Sequence, residues 1–183
     1  MKRVVREEVR TPAEYAAIRE EFRRTVLAQK DVRRLHVGSY LTFLFENHAT
    51  VLYQIQEMIR AESLTREADI QHEMATYNEL LGDRGELGCT LLIEIDDPAT
   101  RAELLARWKD LPETLYIETQ GGMRVPAQFD PRQVGESRIS SVHYLKFRLG
   151  DQVPAKVGCS HPEIAAETVL NAQQIAALCQ DLI

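Results

Sequence analysis

The sequence has few cysteines: Cys89, Cys159 and Cys179 are the only three in 183 residues, odd in number and widely spaced. They form no Cys-x-x-Cys pair, so neither a disulfide framework nor a structural zinc site is expected, and reduced thiols in a cytoplasmic protein fit the pattern. Long apolar runs are also missing. The longest, residues 40–45, falls far short of the ~20 residues of a membrane helix, and no apolar stretch follows the basic start at Lys2-Arg3 to make a secretory signal. Basic residues are not in excess either. With 22 Lys and Arg against 28 Asp and Glu, the net charge is −6, which gives no field for condensing onto phosphate backbones or anionic lipid. Nucleic acid and membrane are therefore disfavoured as partners. Aromatics are modest at 7%, but 44% apolar and 27% charged residues are ordinary for a globular chain, and the length fits one domain spanning 1–183.

Local patterns predict an α+β fold. Thr11-Pro12-Ala13-Glu14 combines a capping residue, a proline at the first helical position and a glutamate three residues after the cap. Tyr15, Ile18, Phe22 and Val26 continue it as an apolar stripe to about Lys30. Residues 32–37 and 40–45 flank Gly38-Ser39 as a hairpin, and helices are expected over about 49–61 and 66–81. Leu87, Cys89, Leu91, Ile93 and Ile95 alternate with Gly88, Thr90, Leu92, Glu94 and Asp96 as a half-buried strand. Asp97-Pro98 opens a short helix carrying Leu104, Leu105 and Trp108, a strand over 115–119 ends at Gly121-Gly122, and 125–137 reads as a loop or irregular edge. A strand over 143–149, another near 165–170 and a capped helix from Asn171 complete the set. The expected architecture is a mainly antiparallel sheet packed against helices concentrated in the N-terminal half.

Winding the two central helices at about 100° per residue shows which charges fall inside the apolar stripe. With Val51 at zero, Met58, Ile55, Ile59 and Leu52 span roughly −20° to 100°, and Glu62 lands at about 20°. In the second helix Glu73 falls among Leu80, Tyr77, Ile70, Leu81 and Met74. A lone desolvated carboxylate costs several kcal/mol unless it finds a cation, a donor or a proton. One reading pairs Glu62 and Glu73 across the helices, with His143 or Glu94 completing a set suited to iron, manganese or zinc. The alternative leaves Glu62 at a frayed helix end, Glu73 hydrogen-bonded locally and His143 as a satisfied core residue. Glu57 and Arg60, three apart, have the spacing of a surface ion pair; with Tyr77 they form a candidate polar network. Glu-x-x-His and His-Glu-x-x-His are both absent, which disfavours a di-iron bundle and a zinc protease. Cys159-Ser160-His161 with Glu163 suggests a Cys/His pair only if the fold supplies the geometry. Arg33-Arg34 with Lys2, Arg3 and Arg6 is a candidate basic corner diluted by Glu7 and Glu8.

The run 45–62, with Glu46-Asn47-His48 and Glu57-Met58-Ile59-Arg60-Ala61-Glu62, resembles the hallmark segment of an uncharacterised bacterial family catalogued as a domain of unknown function. Glu73 with Tyr77-Asn78, the stretch 90–94 and the stretch 142–147 resemble the same pattern, so the similarity covers most of the chain. His48 departs from it, standing where the pattern often has Arg. Genes of that family often neighbour those for rubrerythrin and for an iron–sulfur protein similar to heterodisulfide-reductase subunits. The resemblance thus implies a cytoplasmic accessory role in peroxide defence or electron transfer, with no activity attached. Three functions are expected to compete: a transition-metal or partner-binding accessory protein, a non-catalytic interaction module or homodimer, and a small-molecule enzyme using Glu57, Arg60, Glu73 and Tyr77.

Overall fold

Helix starts in this chain are specified by short-range side-chain chemistry. In the computed structural model, which describes residues 2–183, Thr11 accepts from the Glu14 amide and Glu14 reaches back to the Thr11 amide, opening α1 (Pro12–Asp31). Asn47 and Thr50 do the same for α2 (His48–Ala61), whereas α3 (Glu67–Asn78) has no side-chain cap. Asp97 caps α4 (Pro98–Arg107), and Asn171 with Gln174 opens α5 (Ala172–Asp181). The expected continuation of the α3 helix to residue 81 is not made: past Asn78 the Glu79, Leu80 and Leu81 amides donate only three residues back, and the Asn78 side-chain amide ties this end to the N-terminal segment. It accepts from the Val4 N–H at 2.8 Å and donates to the Val4 carbonyl at 2.9 Å. Gln56 clasps Arg10 in the same two-bond manner.

The strands divide into two antiparallel sheets where the sequence predicts one. The first places β1 (Arg34–Val37), β2 (Leu41–Glu46), β3 (Glu86–Ile93), β7 (Val142–Arg148) and β6 (Gln128–Phe129) side by side in that order. The second runs β5 (Arg124–Pro126), β4 (Leu115–Thr119), β8 (Pro154–Cys159), β9 (Ala166–Val169). They meet at both lateral edges. The chain passes from β5 to β6 through Ala127, and the Thr168 hydroxyl donates to the His36 carbonyl where β9 lies beside β1. Three strands are not among the expected ones. β5 and β6 form as short edge strands at and just after the start of the segment that reads as a loop or irregular edge, and β8 has no counterpart in the sequence pattern, since Pro154 and Gly158 interrupt it. Gly158 makes room for an aromatic ring: a Cβ there would sit 2.5 Å from Tyr116, whose ring lies across it.

Register determines the faces. Directly opposed residues of an antiparallel pair share a face, so Leu35, Phe43, Leu91 and His143 form one inward row, and Phe45, Cys89, Leu145 and Phe129 another. They pack against Leu115, Ile117, Val157 and Cys159 of the second sheet, together with Trp108, Leu178 and Leu182, in one apolar cluster. A second cluster joins Val51, Ile55 and Ile59 of α2 to Ile70 and Met74 of α3, with Val4 and Val9 added by the N-terminal segment. The end of α3 roofs part of the outer face of the first sheet. A Cβ at Gly88 would lie 1.8 Å from the Leu80 carbonyl oxygen, and the Lys146 ammonium donates to the Leu81 carbonyl at 3.2 Å. This roof buries β3 on both faces over Glu86–Cys89, where alternation predicts half-burial. Beyond it, Leu44, Leu92 and Val142 are half-buried and Tyr144 is exposed.

Candidate functional site

The four expected metal ligands are not assembled. Glu62 is the C-cap of α2 and exposed, because the chain leaves the helix there and Ser63 takes φ 52°; helical phase does not extend to it. Glu73 is half-buried on α3. His143 lies on the inward face of the first sheet, fully buried, with Nε2 3.0 Å from the Ser140 carbonyl oxygen and Nδ1 without a partner. Glu94 is exposed on the opposite, outward side, where it accepts from the Thr42 hydroxyl. His143 and Glu94 are therefore separated by the sheet itself. Among the described residues no group of three or more His, Cys, Asp or Glu stands where it could hold a metal ion.

Glu57 and Arg60 do meet, at 3.4 Å, but the stronger partners of Glu57 come from α1. Arg19 donates to it twice at 2.8 Å, and the fully buried Tyr15 donates its hydroxyl at 2.8 Å. The Arg19 guanidinium pulls the Glu57 carboxyl down to about 2, and burial with the adjacent carboxylate pushes the Tyr15 phenol up. This network pins α1 to α2. Tyr77 is not part of it; its ring packs on the α2–α3 cluster and faces a different cleft.

The Cys159–His161 pair has no catalytic geometry. The His161 Nδ1 accepts from the Glu163 amide at 3.3 Å and Nε2 faces Asp110 at 3.3 Å, so both ring nitrogens are engaged away from the thiol, which is itself buried. Nor does a basic corner form. Lys2, Arg3 and Arg6 are paired with Glu8, Asp83 and Glu67. Arg33 is buried against Asp181, with contacts of 2.6 and 3.0 Å, while Arg34 points outward from β1.

The concave feature with an aromatic lining lies where the roof of α3 ends. A half-open groove of about 400 Å³ runs between the last turn of α3 and the β6–β7 edge, lined by Thr76, Tyr77, Leu80, Phe129, Tyr144 and Lys146. Glu79, Gln128, Asp130 and Gln133 also line it. Tyr144 is 49% exposed although it sits within a strand. Its backbone is nevertheless held, since β6 ends before reaching it and Gln133 stands in for the missing strand. The Tyr144 N–H donates to Gln133 Oε1 at 2.7 Å, and Gln133 Nε2 donates to the Tyr144 carbonyl at 3.1 Å. Sequence reasoning misses this site because its walls come from segments far apart in the chain. The one signal in the sequence is a tyrosine on the outward, polar side of an alternating strand.

The sequence matches, over residues 3–182, the model of a family described as a protein of unknown function, DUF3501. No curated protein matches the chain. A crystal structure described as a novel protein of unknown function from Burkholderia pseudomallei K96243 is similar to it, with a TM-score of 0.90, 28% sequence identity and coverage of 100% of each chain. Among the described residues no helix is long and apolar enough to cross a membrane. With the family model spanning all but the extreme ends, this chain belongs to the DUF3501 family.

Proposed function

We propose that this protein is a non-catalytic interaction module, an accessory protein of an oxidative-stress or electron-transfer system, whose redox partner docks at the groove between α3, β6 and β7. One observation carries this reading: Tyr144 is exposed beside an aromatic cleft while both of its backbone groups are locked by Gln133. Tyrosine is enriched among the few residues that dominate binding energy, and an anchor held in place before binding loses less entropy on docking. The carboxylates expected to do chemistry support it indirectly. Glu57 is consumed in a helix-pinning network, Glu62 and Glu94 are exposed, and His143 is buried in the core. The redox setting, with rubrerythrin or an iron–sulfur protein as the partner, is the one implied by the family resemblance.

The test is calorimetric titration of the protein with purified rubrerythrin and with the heterodisulfide-reductase-like iron–sulfur protein of the same cell. The reading expects one of them to bind, with Tyr144→Ala weakening the complex by about 2 kcal/mol, or roughly thirtyfold. Arg24→Ala, on the exposed side of α1, should change nothing. Absence of binding by both proteins, or equal affinity for wild type and Tyr144→Ala, overturns it.

A further inference from the structure

Resting on that docking reading, we infer that the groove receives one arginine side chain of the partner, its guanidinium seated against the aromatic lining beside Glu79. The argument is electrostatic. A helix C-terminus carries partial negative charge from its unpaired carbonyls and is stabilised by a cation in the last turn. The last turn of α3 contains no basic residue and its C-cap is Glu79; the Arg3 guanidinium donates to the Asn78 carbonyl and the Lys146 ammonium to the Leu81 carbonyl, so the carbonyls at this end are met by cations from elsewhere in the chain while the Glu79 carboxylate is not. That same turn, with Thr76, Tyr77, Glu79 and Leu80, forms one wall of the groove.

The cations nearby, Arg3, Lys146 and Arg132, are already held by other acceptors, Arg3 by the Asn78 carbonyl and Asp83. The Lys146 ammonium donates to the Leu81 carbonyl at 3.2 Å and faces Glu86 at 3.6 Å. Arg132 forks onto Asp130, with its Nε 2.8 and 3.0 Å from the two carboxylate oxygens, and that pairing consumes Asp130 as well. Arg132 feels Glu79 only at longer range. Glu79 is thus the lining carboxylate with no ion pair among the described residues. Tyr77 and Tyr144 complete the site, since aromatic faces attract cations, and a planar guanidinium stacks on them more readily than a compact ammonium. An anionic occupant would meet the Glu79 carboxylate, with the Lys146 ammonium already held.

The probe is N-acetyl-arginine methylamide, compared with its neutral citrulline isostere and with N-acetyl-glutamate methylamide, each titrated into the isotope-labelled full-length protein. The arginine probe should give saturable shifts at residues 76–80, 129 and 144 and at the Gln133 side-chain amide. The citrulline probe should bind about two- to fivefold more weakly, as expected for loss of a cation–π contact. Glu79→Gln should weaken the arginine probe by about two- to fivefold while leaving the melting temperature equal or higher, because it removes a charge that opposes the helix dipole. Equal binding of arginine and citrulline, preferential binding of the glutamate probe, shifts centred elsewhere, or no saturable response overturns the inference. In the partner titration, an affinity lowered by Tyr144→Ala but untouched by Glu79→Gln leaves the docking surface standing and removes the arginine; an affinity touched by neither removes both.

Discussion

Replacing Asp181 by asparagine should be among the most damaging single-atom changes this fold can suffer. The Arg33 and Asp181 side chains join the end of α1 to the end of α5 across 148 residues of sequence, and the two residues are 5% and 6% exposed. The fork closes at 2.6 and 3.0 Å, and Arg33 has two further acceptors, the Gln29 carbonyl at 3.1 Å and the Ala177 carbonyl at 3.5 Å. The substituted amide would keep the shape and remove the charge, leaving a guanidinium buried without its counter-ion. Breaking such a pair costs about 3–5 kcal/mol, and the two remaining carbonyl contacts favour the lower end. For a chain of this size, where each kcal/mol shifts melting by about 2–4 °C, a loss of about 3 kcal/mol is a fall of about 6–12 °C. Urea denaturation followed by circular dichroism measures it. The double variant Arg33→Met with Asp181→Leu should recover most of the loss, because apolar replacement of a buried pair is often neutral or stabilising. An Asp181→Asn protein within about 1 kcal/mol of wild type, or a double variant no better than the single, would refute the reasoning.

Three further outcomes follow from the same geometry. Glu57→Gln should lose about 1.5–3 kcal/mol at neutral pH, the range for hydrogen bonds to a charged group. The folded carboxyl lies near 2, below its unfolded value, so this contribution is present above about pH 4.5 and fades as pH falls toward 2; a stability gap between variant and wild type that does not narrow on acidification contradicts it. Burial lowers the His143 imidazole from its ordinary value. The unfolded chain then binds the extra proton first as pH falls below about 6.5, and stability should drop by up to about 1.4 kcal/mol per pH unit until the lowered folded value is reached. His143→Phe should flatten that slope, read from denaturant midpoints at several pH values. Gly158→Ala should cost about 1–3 kcal/mol by driving a methyl into the Tyr116 ring, and Tyr116→Leu in the same chain should recover part of it; additive losses in the double variant would show that the ring is not the obstacle.

What can be read from the sequence is what is decided within a few residues. The starts of α1 and α5 are legible because a cap and its partner lie three apart, as with Thr11 and Glu14 or Asn171 and Gln174, and that of α4 because Asp97 precedes Pro98. The β1–β2 hairpin is legible from Gly38 between two apolar runs, and the α+β class follows from such elements together. Division into two sheets is not, since it depends on which distant strands pair, and β8 carries a proline and a glycine that its context tolerates. Glu62 misleads because the helical wheel carries one residue past the last helical position. Arg33 reads as a surface cation until α5 brings Asp181 to it. The groove is least legible of all: Tyr77, Phe129 and Tyr144 lie in three segments, and the clasp of Gln133 on the Tyr144 backbone has no sequence signature.

Hydrogen–deuterium exchange of the protein with and without its bound redox partner tests the central claim most directly. Docking at the groove should slow exchange at residues 76–80 and 128–146, leaving the far faces of α1 and the second sheet unchanged. Protection centred on those far faces, with the segments around Tyr77 and Tyr144 exchanging as in the free protein, would contradict it.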